Sequence, residues 1–184
     1  VNNIDERVSW IVSGIREDSL DPAVREAAVA YCSTKCGTRN NVRWCTTPKD
    51  YIAEITAIFK AVQEAKSPIA LRYVRAHAKV DQFTAAHKLI RVRGGDCDDG
   101  TILLGSLLMT IGYPVKLRVI QDTSASTWSH IYLLVNIPRT GKWLPLDWSV
   151  YPFQAAGWQA PGAEQARLSG RAAGMVTKVR DFDV

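Results

Sequence analysis

Residues Val92–Pro114 read "VRGGDCDDGTILLGSLLMTIGYP". A polar, glycine-led opening runs straight into an apolar helical pattern, and the fold turns on that junction. Gly94 and Gly95 let the backbone turn sharply. Asp96 reads as an N-cap, a carboxylate placed to accept the unpaired amides of the first turn. Ile102, Leu103, Leu107 and Ile111, with Leu104 and Leu108 alongside, then bury the helix and set its direction. Cys97 falls in the first turn, where the partial positive charge of the helix start favours a thiolate. The same amides can stabilise an oxyanion. Asp98 and Asp99 oppose the thiolate unless they point away or pair with cations, for which Arg91 and Arg93 are close in sequence.

Two other chemistries fail on this stretch. An EF-hand loop begun at Asp96 would need an oxygen ligand at its fifth position and Glu at its twelfth, where the chain has Gly100 and Leu107. The echo of an Asp-x-Asp-Gly-Thr phosphatase signature puts Cys97 in the nucleophilic aspartate's position, so no phosphoaspartate can form. What remains is a thiol at a helix N-terminus.

The chain has 184 residues, enough for one domain with a substantial core. Its 23 basic and 18 acidic residues are scattered, so the net charge of +5 permits an acidic partner without demanding one. No basic–aromatic interleaving marks a nucleic-acid surface. The longest apolar run, "TILLGSLLMTIG", is too short and interrupted to cross a bilayer. The opening "VNNIDERVSW" lacks the order of a signal peptide, although a processed or truncated start stays open. The expectation is a cytoplasmic or virion-associated protein with no cofactor and no metal. Cys32, Cys36 and Cys45 crowd together in "CSTKCGTRNNVRWC" without a standard zinc spacing. Unpaired thiols, a disulfide within the cluster, and a metal site completed by His77 or His87 all stay open.

"IDERVSWIVSGIRE" carries a helical apolar stripe through Ile4, Val8, Ile11, Val12 and Ile15. "DPAVREAAVAYC" predicts a helix capped by Asp21 with Pro22 first. In "TPKDYIAEITAIFKAVQEAK", Thr47 is read as the cap, Pro48 as the first turn and Asp50 as a capping-box acid. Ile52, Ile55, Phe59 and Val62 form its apolar face, and Pro68 ends it. "IALRYVRAHAKVDQF" is ambiguous between an extended piece and a short helix. "VKLRVIQ", "SHIYLLVNI" and "KWLPLDWSV" read as three consecutive antiparallel strands, the last two joined through the turn "PRTGK". The fold class is therefore α+β: N-terminal helices followed by an antiparallel sheet. Residues 1–150 form the single domain, and 151–184 read as an extended C-terminal tail packed on the domain or on a partner.

A thiol flanked by acids needs an imidazole. His77 and His87 read as surface residues, whereas His130 heads the most apolar strand, an unusual place for a titrating group without a partner. Asp147 ends the next strand among Trp143, Leu146 and Trp148, a carboxylate in an apolar setting that calls for a hydrogen-bond partner. A hairpin through "PRTGK" makes the two cross-strand neighbours or nearly so.

The order of these segments, "GGDCDDGTILLGSLLMTIGYPVKLRVI", "WSHIYLLVNI" and "GKWLPLDWS", resembles the transglutaminase-like superfamily, relatives of the papain-like cysteine hydrolases. It is most similar to the short bacterial and phage type, over about Ile69 to Val150. The resemblance implies a papain-like core with Cys97 as nucleophile, His130 as general base and acid, and Asp147 orienting the imidazole. Where many members have proline after the aspartate, this chain has Trp148. No tryptophan lies between Trp44 and Cys97 to match the one that eukaryotic transglutaminases keep near the oxyanion, which leaves the Cys97 amide as first candidate donor. The implied function is a cysteine peptidase or amidase acting on a peptide or protein through a thioester. The alternative is a structural or assembly component of a phage virion that keeps the fold with little turnover and binds other subunits through its tail. A third possibility is a zinc protein built on Cys32, Cys36 and Cys45.

Overall fold

The computed structural model describes residues 3–32, 36–45, 49–74, 83–125, 127–150, 152–170 and 174–184, with backbone only at 36, 37, 39 and 42–45. Its centre is the helix anticipated at the glycine–aspartate junction. This helix, Cys97–Thr110, is buried on every side from Asp98 to Leu108, as an all-round apolar helix must be. Helices α1 (Ile4–Asp18), α2 (Pro22–Val29) and α3 (Tyr51–Gln63) pack on it, as does the short helix that precedes it. Between α2 and α3 lies a hairpin of β1 (Cys36–Arg39) and β2 (Val42–Cys45). A two-residue strand β3 (Arg72–Tyr73), the short helix α4 (Ala86–Val92) and β4 (Gly94–Gly95) lead into the central helix, α5. β3 pairs with β4 in parallel, so the glycine pair is held as a strand just before the helix starts.

Beyond Pro114 come β5 (Val115–Asp122), β6 (His130–Ile137) and β7 (Lys142–Leu146), the three strands read from the sequence, in antiparallel order. Val115, Leu117, Val119, Ile131, Leu133, Val135 and Leu146 turn one sheet face to the core shared with α5. The structure is α+β, with helices first and an antiparallel sheet after them.

The C-terminal segment departs from the extended tail expected for 151–184. It contributes α6 (Ala163–Ser169) and β8 (Val176–Asp183), and β8 pairs antiparallel with β5 to complete the sheet order β7-β6-β5-β8. α6 covers the second sheet face, where Ala163 and Ala166 pack on Ile120, Tyr132, Leu134 and Val176. Buried Arg118 ties this segment down, giving Asp181 a two-pronged bond at 2.7 Å on each prong and reaching Gln159 at 2.9 Å.

α3 also starts later than expected. Asp50 is itself the N-cap, accepting from the Ala53 amide at 3.0 Å, and Tyr51 is the first helical residue. Thr47 and Pro48 lie outside the described residues. The shift leaves Ile52 largely exposed, while Ile55, Phe59 and Val62 are buried as read. The helix stops at Gln63, ahead of Pro68. Asp50→Ala is expected to lower stability by about 1 kcal/mol, measured by urea unfolding.

Candidate active site

The first turn of α5 is held by a reciprocal cap. Asp96 Oδ1 accepts from the Asp98 and Asp99 amides at 3.0 and 3.3 Å, and Asp99 Oδ2 accepts from the Asp96 amide at 3.3 Å. Asp99 Oδ1 also accepts from the Thr84 amide at 3.0 Å. Glycine at 95 is required here, because a Cβ would come within 2.8 Å of the Asp99 carboxylate. The cap takes the Asp98 and Asp99 amides, and the Cys97 amide is not among those it occupies.

Asp98 answers the question of its charge differently from the sequence reading. Its partner is Arg7 of α1, neither Arg91 nor Arg93. Arg7 Nε donates to Asp98 Oδ2 at 2.9 Å, and Arg7 Nη2 bonds the same oxygen. Arg93 is spent on backbone, donating to the carbonyls of Ala65, Ser67 and Ala70. Asp98 Oδ1 lies 3.7 Å from Cys97 Sγ, as acceptor for the thiol. Burial first, then Asp98 and Asp96, push the Cys97 thiol well above its usual range. The Ile131 backbone N–H and Arg7 pull it down by less. Burial and the two carboxylates thus oppose the thiolate that the helix-start dipole favours.

His130 and Asp147 do meet. The imidazole Nε2 and Asp147 Oδ2 are 2.7 Å apart, and the Asp147 side chain is only 2% exposed. Continuing the β6–β7 register past Leu133 and Leu146 puts Asp147 opposite Tyr132, one diagonal step from His130 on the same face. Asp147 Oδ1 is occupied by Ser149, whose amide and Oγ donate at 3.3 and 3.0 Å. With both oxygens committed, the carboxylate fixes Nε2 as the protonated ring nitrogen and leaves Nδ1 to accept. Tyr132 stacks 5.9 Å from the imidazole, and burial pushes its phenol up to about 12, so it stays neutral.

Cys97 and His130 line the same cavity, of about 510 Å³. The Ile131 amide that touches the sulfur belongs to the residue next to His130. Asn3, Arg7 and Trp10 of the α1 region form one wall of the cavity, and Thr127, Trp128 and Ser129 another. Trp10 and Trp128 thus stand at the cavity, although no tryptophan precedes Cys97 closely in sequence.

Arg7 and Ser149 escaped the sequence reading, as did the packing role of Trp148. For Arg7 a signal existed: with Ile4 and Ile11 it follows helical spacing, a cation on the edge of an apolar stripe. Trp148 is fully buried and lays its indole against Gly100, where a Cβ would come within 1.7 Å of Nε1. That contact anchors the residue after Asp147 to the helix that carries Cys97.

His87 Nδ1 lies 3.6 and 3.5 Å from Asp18 and Asp21. His77 and the side chains of Cys36 and Cys45 lie outside the described residues; the β1–β2 backbone register pairs positions 36 and 45. Among the described residues, one set of potential ligand atoms gathers within 4.8 Å, from Asp96, Cys97 and Asp98. Both carboxylates are already engaged, Asp96 as cap and Asp98 with Arg7, so we do not read that trio as a metal site.

Fold and site together define a mixed α+β protein whose central helix opens on a thiol, with one member of a histidine–aspartate pair lining the same cavity. Compared with known proteins, the chain matches no protein-family model and no curated protein. Among the described residues no helix is long and apolar enough to cross a membrane.

Proposed function

We propose that this chain is a transglutaminase-like cysteine hydrolase with a papain-like core, a peptidase or amidase working through Cys97, His130 and Asp147. The observation that carries the reading is the buried 2.7 Å His130–Asp147 bond, with His130 and Cys97 on one cavity. Because burial and the neighbouring carboxylates push the Cys97 thiol up, His130 Nδ1 takes the proton as the sulfur attacks the substrate carbonyl. The Cys97 amide faces the developing oxyanion. His130 then returns the proton to the leaving amine as the C–N bond breaks, giving a thioester. Water, deprotonated by the same nitrogen, attacks the thioester and releases the acid and the thiol.

The rival reading, an inert virion component, is best served by a C-terminal segment laid over the thiol. The residues lining the cavity end at Ile131, and none comes from 152–170 or 174–184. A thiol-directed acyl probe is expected to label the protein at Cys97, with Cys97→Ala and His130→Ala abolishing the label. Labelling that survives both substitutions, or a wild-type protein that takes no label, removes the hydrolase reading.

A further inference from the structure

α1 does more than wall the cavity. At its C-terminal half, Ile15 fills the space over Gly105, where a Cβ would come within 2.7 Å of Ile15 Cδ1. At its first turn, Asp5 accepts from Arg180 of β8 at 2.7 Å. Between these anchors Arg7 reaches the first turn of α5 and takes Oδ2 of Asp98 with Nε and Nη2. The opposite oxygen of the same carboxylate is the one 3.7 Å from Cys97 Sγ. One buried carboxylate thus carries the guanidinium on one side and the thiol on the other.

The charges around the sulfur are unbalanced without that guanidinium. Asp96 and Asp98 face it from α5, Glu6 lies on the α1 wall, and His130 stands on β6 with Asp147 behind it. Among these described groups, Arg7 is the cation whose charge does not depend on pH. Burial pushes the Asp98 carboxyl up, and Arg7 opposes that shift by charge and by hydrogen bond.

Resting on the hydrolase reading above, we infer that Arg7 is a positioning residue for Cys97: it binds the outer oxygen of Asp98 and offsets that carboxylate, so the sulfur can give up its proton during attack. It acts on the sulfur through Asp98. The α1 helix, which lies outside the stretch that resembles the hydrolase core, becomes part of the catalytic apparatus.

The test is the rate at which iodoacetamide alkylates Cys97 in the full chain, read from the Cys97 peptide by mass spectrometry across a pH series. Below the thiol's midpoint each upward pH unit in that midpoint lowers the thiolate fraction about tenfold. Arg7→Gln is expected to slow alkylation about tenfold at mildly alkaline pH and to displace the whole profile upward, since an opposite charge this close shifts ionisation by about one pH unit or more. Arg7→Lys keeps the charge and is expected to recover most of the rate. Asp98→Asn, which leaves Arg7 in place, is expected to speed alkylation about tenfold, and Arg7→Gln/Asp98→Asn to return at least to the wild-type rate.

An Arg7→Gln rate equal to or above wild type overturns the inference. So does a double variant as slow as Arg7→Gln, or an Asp98→Asn rate that stays level or falls. If Arg7→Gln does not fold, Asp98→Asn decides alone. The hydrolase reading fails separately, when His130→Ala leaves labelling by the acyl probe intact, and the alkylation order among the Arg7 and Asp98 variants is read independently of it.

Discussion

Asp147→Asn is expected to cut the rate of Cys97 acylation by about a thousandfold or more while leaving the thermal midpoint nearly unchanged. The reason lies in how Asp147 is held. Ser149 donates to Oδ1 through both its amide and its hydroxyl. In the variant these donors retain the amide oxygen, so the NH2 group faces His130 Nε2. The imidazole must then accept at Nε2 and carry its proton on Nδ1, the nitrogen that should receive the proton of Cys97. A thiolate preformed at the helix start would make this loss small. Burial and the neighbouring Asp98 and Asp96 push the Cys97 thiol up, so on the proposed hydrolase mechanism the base is needed in the transition state and the loss is large. Ser149→Ala in the Asp147→Asn background removes one of the two donors, lets the amide turn over more often, and is expected to restore part of the rate. The measurement is the second-order rate of acyl-probe modification at the Cys97 peptide. A loss of less than about tenfold would show that Asp147 does not set the tautomer of His130.

Gly100→Ala is expected to cost at least about 3 kcal/mol of stability in urea unfolding, a large effect for adding one methyl group. Alanine in a helix interior ordinarily gains about 1 kcal/mol over glycine. Here the new Cβ would sit 1.7 Å from Trp148 Nε1 and 1.8 Å from Cε2. The indole is fully buried and cannot step aside without moving the chain that carries Asp147. Sterics therefore override propensity. Stability and acylation are expected to fall together, because the displaced Trp148 adjoins the residue that orients His130. Trp148→Phe in the same background shortens the ring and is expected to recover part of the stability, a non-additive pair. A Gly100→Ala protein as stable as wild type would mean that α5 does not seat on Trp148 as described.

Features set within a turn or two of chain were readable in advance. Asp21 before Pro22, and Asp96 ahead of an apolar run, announce helix starts because a cap is a contact between residues two or three apart. The strands after Pro114 announced themselves by alternation in the first, β-branched and aromatic residues in the second and a turn before the third, and the hairpin kept His130 and Asp147 near each other. Thr47 and Pro48 imitated a start that Asp50 makes, since both pairings satisfy the same local rule.

Long-range pairing was hidden. β8 owes its existence to the free edge of β5, and its own sequence, with Lys178, Arg180 and Asp181 among few apolar residues, carries too little pattern to declare a strand. Local sequence named the thiol, the imidazole and the carboxylate, because each stands at the end of a helix or strand that its neighbours define. Tertiary packing alone chose Arg7 as the cation for Asp98, Trp148 as the seat of α5, and the burial that pushes the Cys97 thiol up. Those three depend on which surfaces are brought together and how much water they exclude, quantities that no stretch of chain contains until it has folded against another.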